Sequence, residues 1–110
     1  MLAKAHRLTS SQAFREAVRS GSRAGSRTIV VHLQRLEEGD AQVGFVVTRA
    51  VGNAVARNRV KRRLRHLARE RLTSLPVSCV LVIRALPPAA QAPWPELGDD
   101  LDRCLKRVLR

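Results

Sequence analysis

Residues 53–72 read NAVARNRVKRRLRHLARERL, and the spacing of their apolar residues indicates the secondary structure of this segment. Apolar residues recur in it at i, i+4, i+7 and i+8, at Val60, Leu64, Leu67 and Ala68. That spacing is typical of one stripe of an α-helix, which buries the stripe against a core. The pattern predicts a helix over residues 55–72.

The other side chains of this predicted helix are strongly basic. From Arg57 to Arg71 the chain has eight Lys or Arg and one acid, Glu70. Surface helices usually mix the two signs, because opposite charges pair at i,i+4. The helix therefore presents a rigid cationic surface, here called the basic ridge (residues 57–71), whose expected partner is a polyphosphate backbone.

The composition of the whole chain agrees with a nucleic-acid partner. Its 110 residues suit one domain, residues 1–110, with a single modest core. The net charge is +12 and the pI about 11.7. Of the 21 basic residues only Lys4, Lys61 and Lys106 are lysine. Arginine pairs bidentately with phosphate and stacks on bases, so this bias favours RNA or DNA.

Cysteine usage and targeting signals point to the cytoplasm. Cys79 and Cys104 have neither metal-site nor disulfide-framework spacing, and both lie in apolar runs, so we expect small core residues. The N-terminus has no continuous apolar region of a signal peptide, and no stretch approaches the ~20 apolar residues of a membrane span. We expect no membrane partner.

The first half of the chain predicts one helix and two strands. Thr9–Gln12 has capping-box spacing, and a helix follows over residues 10–20 with Gly21 as its stop. Residues 28–36 and 42–49 are rich in β-branched residues and predict strands. Their short connection predicts an antiparallel hairpin.

The second half predicts a strand, a loop and a helix. Residues 77–84 are nearly all apolar, as in a strand covered on at least one face. Residues 87–95 form a stiff Pro/Ala loop that contains Trp94, and a helix follows over residues 96–109. Helices packed on a small mixed sheet make an α+β domain.

The sequence shows no catalytic constellation. His6, His32 and His66 fall in different predicted elements, and the acids of the last helix are spaced as helix-start charges. Acid–base or two-metal chemistry needs clustered carboxylates or histidines. We therefore predict no catalytic residue and no metal site in the protein.

Three functions are compatible with the charge pattern. They are an RNA-binding protein of ribosomal or chaperone type, a DNA-binding regulator and a stand-alone nuclease. A regulator would use the basic helix in a major groove, but no helix-turn-helix or zipper heptads accompany it. No DNA partner is therefore expected.

Residues 52–63, GNAVARNRVKRR, resemble the signature of the bacterial ribonuclease P protein family. The surroundings are similar too, with Arg7-Leu8, Phe14 and Gly21 near the start and VGFVVT at residues 43–48. The resemblance covers residues 6–85 closely, and the final helix in position and type. It implies a two-layer α/β sandwich of order αβββαβα with a left-handed βαβ crossover, although right-handed is the default. The strand missing from the pattern would be residues 49–52.

The resemblance also implies a function. This family is the protein partner of a catalytic RNA that removes the 5′ leader of precursor tRNA. The expected partners are thus the catalytic RNA and precursor tRNA, with magnesium held mainly by the RNA.

Two sets of contact residues follow from the resemblance. The residues expected near the catalytic RNA are Asn53, Arg57, Asn58, Arg59, Lys61, Arg62, Arg63 and Arg65. Those expected at the leader are Phe14, Val18 and His32, with Ile29 and Val31 nearby, and Arg49. Val18 and His32 stand where the family commonly has aromatic residues, which implies weaker stacking and more reliance on arginine.

Three of these positions have a second interpretation. Phe14 could serve core packing, and His32 could be a surface histidine on a strand. Asn58 could bind a ribose or phosphate, or cap local backbone.

Overall fold

The computed structural model describes residues 2–110, and within that range the chain forms three α-helices and one four-stranded sheet. In chain order the elements are α1 (Ser11–Ser20), β1 (Ser22–Gly25), β2 (Ile29–Arg35), β3 (Gln42–Val46), α2 (Ala54–Glu70), β4 (Cys79–Ala85) and α3 (Trp94–Val108). The α+β class and the order αβββαβα are confirmed. The ends of the predicted helices and strands differ from the observed ones by at most three residues.

Strand β4 lies inside the sheet, whose strand order is β1-β2-β4-β3. It runs antiparallel to β2 and parallel to β3. The hairpin predicted for residues 28–36 and 42–49 is therefore wrong, because β4 separates these strands. A strand as apolar and buried as β4 is most stable with neighbours on both edges. The connection then spans two strand spacings, roughly 10 Å, which its residues cover easily.

The strand missing from the hydrophobic pattern is β1. It pairs antiparallel with β2 at the sheet edge, and only its Ala24 is buried. The strand expected at residues 49–52 is wrong, because this segment turns: the N–H groups of Val51 and Gly52 donate to the carbonyls of Thr48 and Arg49. A short polar edge strand has no apolar alternation by which it could be recognised.

One face of the sheet is covered by α2 and α3. Its β2 side chains are Ile29, Val31 and Leu33, which belong to the larger core. The stripe predicted for α2 is confirmed, since Val60, Leu64, Leu67 and Ala68 are buried in this core. Cys79 and Cys104 are buried there as well, as predicted.

Helix α1 covers part of the opposite face, over a smaller core. Its Ala17 packs with Val80 and Val82 of β4. Successive side chains of a strand point to opposite faces, so the intervening Leu81 and Ile83 belong to the larger core. Strand β4 thus contributes side chains to both cores.

The ends of α1 differ from the predicted capping box. The cap is Ser10, not Thr9, and its hydroxyl accepts a hydrogen bond from the N–H of Ala13 at 3.2 Å. Gly21 ends the helix as predicted, but with an extended backbone (φ −79°) instead of the left-handed one. A Cβ at Gly21 would lie 2.5 Å from the carbonyl oxygen of Ala17, so close approach requires the glycine here.

Candidate nucleic-acid interface

Helix α2 begins at a side-chain cap. The Asn53 side-chain oxygen accepts a hydrogen bond from the N–H of Ala56 at 2.9 Å. This bond satisfies one of the free amides of the first turn. An RNA contact from Asn53 would therefore use its amide nitrogen. Asn58, which had two interpretations, is exposed inside the helix and does not cap it.

The basic ridge is the solvent side of α2. Because the apolar stripe points inward, Asn58, Arg59, Arg62 and Arg65 are exposed, and Arg57, Lys61 and Arg63 are half-buried. Within residues 2–110 no carboxylate lies within 4.0 Å of the basic groups at positions 57–65. Glu70 lies at the end of the helix, 3.6 Å from Arg71 and 3.7 Å from His66. The first three turns of the ridge therefore keep their full positive charge.

Arg57 has an unsatisfied donor. Its Nε is buried and has no hydrogen-bond partner among the residues that the structure describes. A buried donor without an acceptor costs about 1–3 kcal/mol.

A groove of about 580 Å³ runs beside α1 on the opposite side of the sheet. It is lined by Gln12, Phe14, Arg15, Glu16, Val18, Arg19 and Val46. Val18 is 48 % exposed, and Phe14 is half-buried. Phe14 also packs against the smaller core, as its interpretation as a core residue predicts, while it still lines the groove.

The ring of Phe14 lies directly on the backbone of β3. A Cβ added to Gly44 would lie 2.3 Å from Cζ of Phe14 and 2.8 Å from Cδ2 of Leu8. Real side-chain atoms do not approach so closely. The glycine therefore allows α1 to place the ring at the floor of the groove.

His32 is buried beneath this face and is only 7 % exposed, so its interpretation as a surface histidine is wrong. Its Nδ1 has no hydrogen-bond partner within residues 2–110. Burial, and then the nearby Arg23 and Arg84 guanidinium groups, lower the pKa of His32. The lowered pKa favours the neutral imidazole, and His32 is not among the side chains that line the groove.

The placement of Ile29 at the leader face is wrong. Ile29 is fully buried in the larger core, together with Val31. Both are separated from His32 by an odd number of residues, and strand side chains at odd separations point to opposite faces. Arg49 is exposed in the turn after β3 and is not among the side chains that line the groove.

Four arginines on the groove side are absent from the set of residues predicted from the sequence. Arg15 and Arg19 line the groove one helical turn apart, and a projection of α1 around Phe14 and Val18 indicates them. Arg23 and Arg84 flank His32 through strand pairing. The position of Arg23 depends on β1, which carries no hydrophobic signal, and that of Arg84 depends on the pairing of β4 with β2.

Residues 2–110 contain no group of three or more His, Cys, Asp or Glu side chains that could hold a metal ion. None of the helices in this range is long and apolar enough to cross a bilayer.

Comparison with known proteins gives the family. The family model described as Ribonuclease P matches residues 2–109. The chain belongs to the ribonuclease P protein family. A ribonuclease P protein component from a Nocardioides species is 63% identical, over 98% of this chain and 95% of that protein. The component from Kocuria rhizophila is 48% identical, over 100% and 97%.

A solved ribonuclease P protein has the same fold. The crystal structure from Staphylococcus aureus superposes with a TM-score of 0.83 at 27% identity, covering 94% of this chain and 95% of that one. Membership of the ribonuclease P family confirms the resemblance of residues 52–63 and their surroundings. The chain is a protein component of a ribonucleoprotein nuclease of tRNA processing.

Proposed function

We propose that this protein binds both the catalytic RNA of ribonuclease P and the 5′ leader of precursor tRNA. The basic ridge would hold the catalytic RNA, and the groove beside α1 would hold the leader. The protein would thereby assist endonucleolytic cleavage that yields the mature 5′ end of the tRNA. In this proposal it works in the cytoplasm and binds no DNA.

The observation that carries the proposal is the position of the two surfaces. The ridge belongs to the helices on one face of the sheet, and the groove lies on the other. Two RNA segments could therefore be bound at once without competing for the same side chains. Each surface has the chemistry that its expected ligand requires.

The ridge has the chemistry for a structured RNA backbone. Its guanidinium groups at positions 57–65 have no carboxylate partner within residues 2–110. Phosphate oxygens satisfy such donors bidentately, with release of counterions from the RNA. Affinity should therefore fall steeply as the salt concentration rises.

The groove has the chemistry for an unpaired strand. Unpaired bases stack on aromatic rings or guanidinium planes, and here one ring, Phe14, lies among several arginines. Because Val18 is not aromatic, arginine would supply more of the leader contact.

The protein's own residues would bind and orient the RNA, and the catalytic centre would lie in the RNA partner. We propose that magnesium, held mainly by the RNA, supplies the charge stabilisation that phosphodiester hydrolysis requires. The contribution of the protein would be substrate affinity and neutralisation of the crowded RNA backbones.

Reconstitution with the cognate catalytic RNA tests this proposal. Leader removal from precursor tRNA should be faster with the protein than without it at low magnesium. A tRNA that lacks the leader should gain much less affinity. No stimulation would contradict the proposal, and cleavage by the protein without RNA would favour a stand-alone nuclease. Equal binding of tRNAs with and without leader would favour a general RNA-binding protein.

A further inference from the structure

A second pocket lies between α2 and the start of α3. It has a volume of about 300 Å³ and is lined by Arg59, Arg62, Arg63, His66 and Trp94. Three guanidinium groups and two aromatic rings thus meet in one concavity, and no carboxylate lines it. At this volume, the low end for ligand sites, it suits a single planar group.

The Trp94 indole is held in place but not buried. The ring of His66 approaches it edge-on, with 5.2 Å between centroids and an interplanar angle of 63°. The guanidinium carbon of Arg63 lies 6.0 Å from the indole centroid, within range of a cation–π interaction. Trp94 nevertheless remains 39% exposed. The ring is therefore oriented in advance and still accessible.

Trp94 is not needed to fill the core. The loop before it is anchored by Ala89, Ala90 and Ala92, which are buried in the larger core, whereas Trp94 is absent from that cluster. Arg59 and Arg63 also approach the carbonyls of this loop, at 3.5 Å each. The loop is thus anchored without the Trp94 side chain. The exposed indole is therefore available to contact a ligand.

We propose that this pocket binds one unpaired base of the catalytic RNA, stacked on Trp94, with its neighbouring phosphates on Arg59 and Arg62. This rests on the proposed function, in which α2 faces that RNA. Phosphate alone would explain the arginines but not an oriented, exposed indole beside them. A base offers a π-face to the indole and carries phosphates on either side.

Tryptophan fluorescence tests the stacking directly, because Trp94 is the single tryptophan and the chain has no tyrosine. The full chain is titrated with a hexamer of adenylates and with a blunt RNA duplex of equal phosphate number. The hexamer should quench the fluorescence strongly, and the duplex should bind the ridge with little quenching. Equal quenching by both RNAs, or none with the hexamer, would overturn the proposal.

Binding of the catalytic RNA by variants gives an independent measurement. W94L should weaken binding about 5- to 100-fold, the usual range for one stacked base, whereas W94F should keep most of the affinity. The control is K106A, which removes an exposed charge on α3 outside the pocket. Unchanged binding by W94L would contradict a base site. If circular dichroism shows that W94L is unfolded, the RNA affinity of W94F and the fluorescence titration of the unaltered chain test the base site instead.

Failure of this proposal can be distinguished from failure of the proposed function. If only the pocket assignment is wrong, the unaltered protein stimulates leader removal and W94L does so equally at subsaturating protein. If the proposed function is wrong, the unaltered protein gives no stimulation, whatever the hexamer does to the fluorescence.

Discussion

Asp100 of α3 accepts two hydrogen bonds from Thr28, at 2.5 Å from the hydroxyl and 3.3 Å from the backbone N–H, across 72 positions of sequence. Both residues are buried, and Arg103 also bonds the carboxylate. Burial alone would raise the pKa of Asp100, but the hydrogen bonds from Thr28 and Arg103 outweigh it and lower the pKa. The Asp100 carboxylate therefore links α3 to Thr28, the residue directly before β2.

D100N should lower the free energy of unfolding at pH 7 by about 1–3 kcal/mol, because buried donors lose an ionised acceptor. The folded state lowers the pKa of Asp100, so its contribution is present above the unfolded pKa of about 3.9 and is lost as the pH falls through the folded value. Urea unfolding at pH 7 and pH 3 measures the difference. The exposed neighbour variant D99N is the control, and equal losses in both variants would count against the assigned role.

H32F should make stability less sensitive to acid. The folded state lowers the pKa of His32, so its contribution is present above the unfolded value of about 6.5 and decreases as the pH falls through the folded value. Phenylalanine removes this titration. Thermal unfolding between pH 7.5 and 5 should show a smaller decrease for H32F than for the unaltered chain, and parallel decreases would exclude the effect.

R65A should weaken binding of the catalytic RNA and lower the slope of log K against log salt by about one, if Arg65 contacts one phosphate. Arg65 is exposed on the ridge, so the fold should be unaffected. Filter binding at four salt concentrations gives the slope. K106A removes an equal charge from α3, and a slope change of the same size there would indicate general attraction instead of a ridge contact.

F14A should reduce the preference of the holoenzyme for precursor over mature tRNA. The variant loses one stacking surface, worth about 1–3 kcal/mol per base. Dissociation constants for the two tRNAs measure this preference. The control is V77A, which changes an apolar side chain that is 87% exposed and lies outside the groove. This variant should leave the preference for precursor tRNA unchanged. An equal loss for both tRNAs would argue against a leader contact at Phe14.

G44A should destabilise the fold by about 1–3 kcal/mol, the usual cost of overpacking. Its new methyl group would occupy space that the Phe14 ring now fills. The double variant G44A/F14L should recover part of the loss, because the smaller side chain vacates that space. Additive losses in urea unfolding would show that the two positions do not compete.

Helices and strands with a clear pattern of apolar residues could be predicted from the sequence, but the pairing between the strands could not. The α2 stripe specifies both a helix and its buried face, and β4 is recognisable as an apolar run. Strand order is decided by long-range packing, in which β4 displaces the local hairpin. β1 was missed because an edge strand with one buried residue has no pattern.

The candidate site divides in the same way. The ridge follows from one helix, so its residues could be named from local spacing alone. The groove combines α1 with the sheet, so Arg23 and Arg84 become neighbours of His32 only after the strands pair. Ile29 could have been excluded earlier, since its odd separation from His32 already requires opposite faces. Trp94 and His66 meet only through the tertiary fold.

The alternation of β4 has a mechanical consequence. Val82 belongs to the smaller core beneath α1, and its neighbours Leu81 and Ile83 belong to the larger core that contains the buried stripe of α2. Packed layers lie about 10 Å apart, so the helices on the two faces are separated by roughly 20 Å. Close packing makes this thickness hard to compress. The sheet would then be a rigid spacer that keeps an RNA strand bound in the groove at a constant distance from an RNA bound on the ridge.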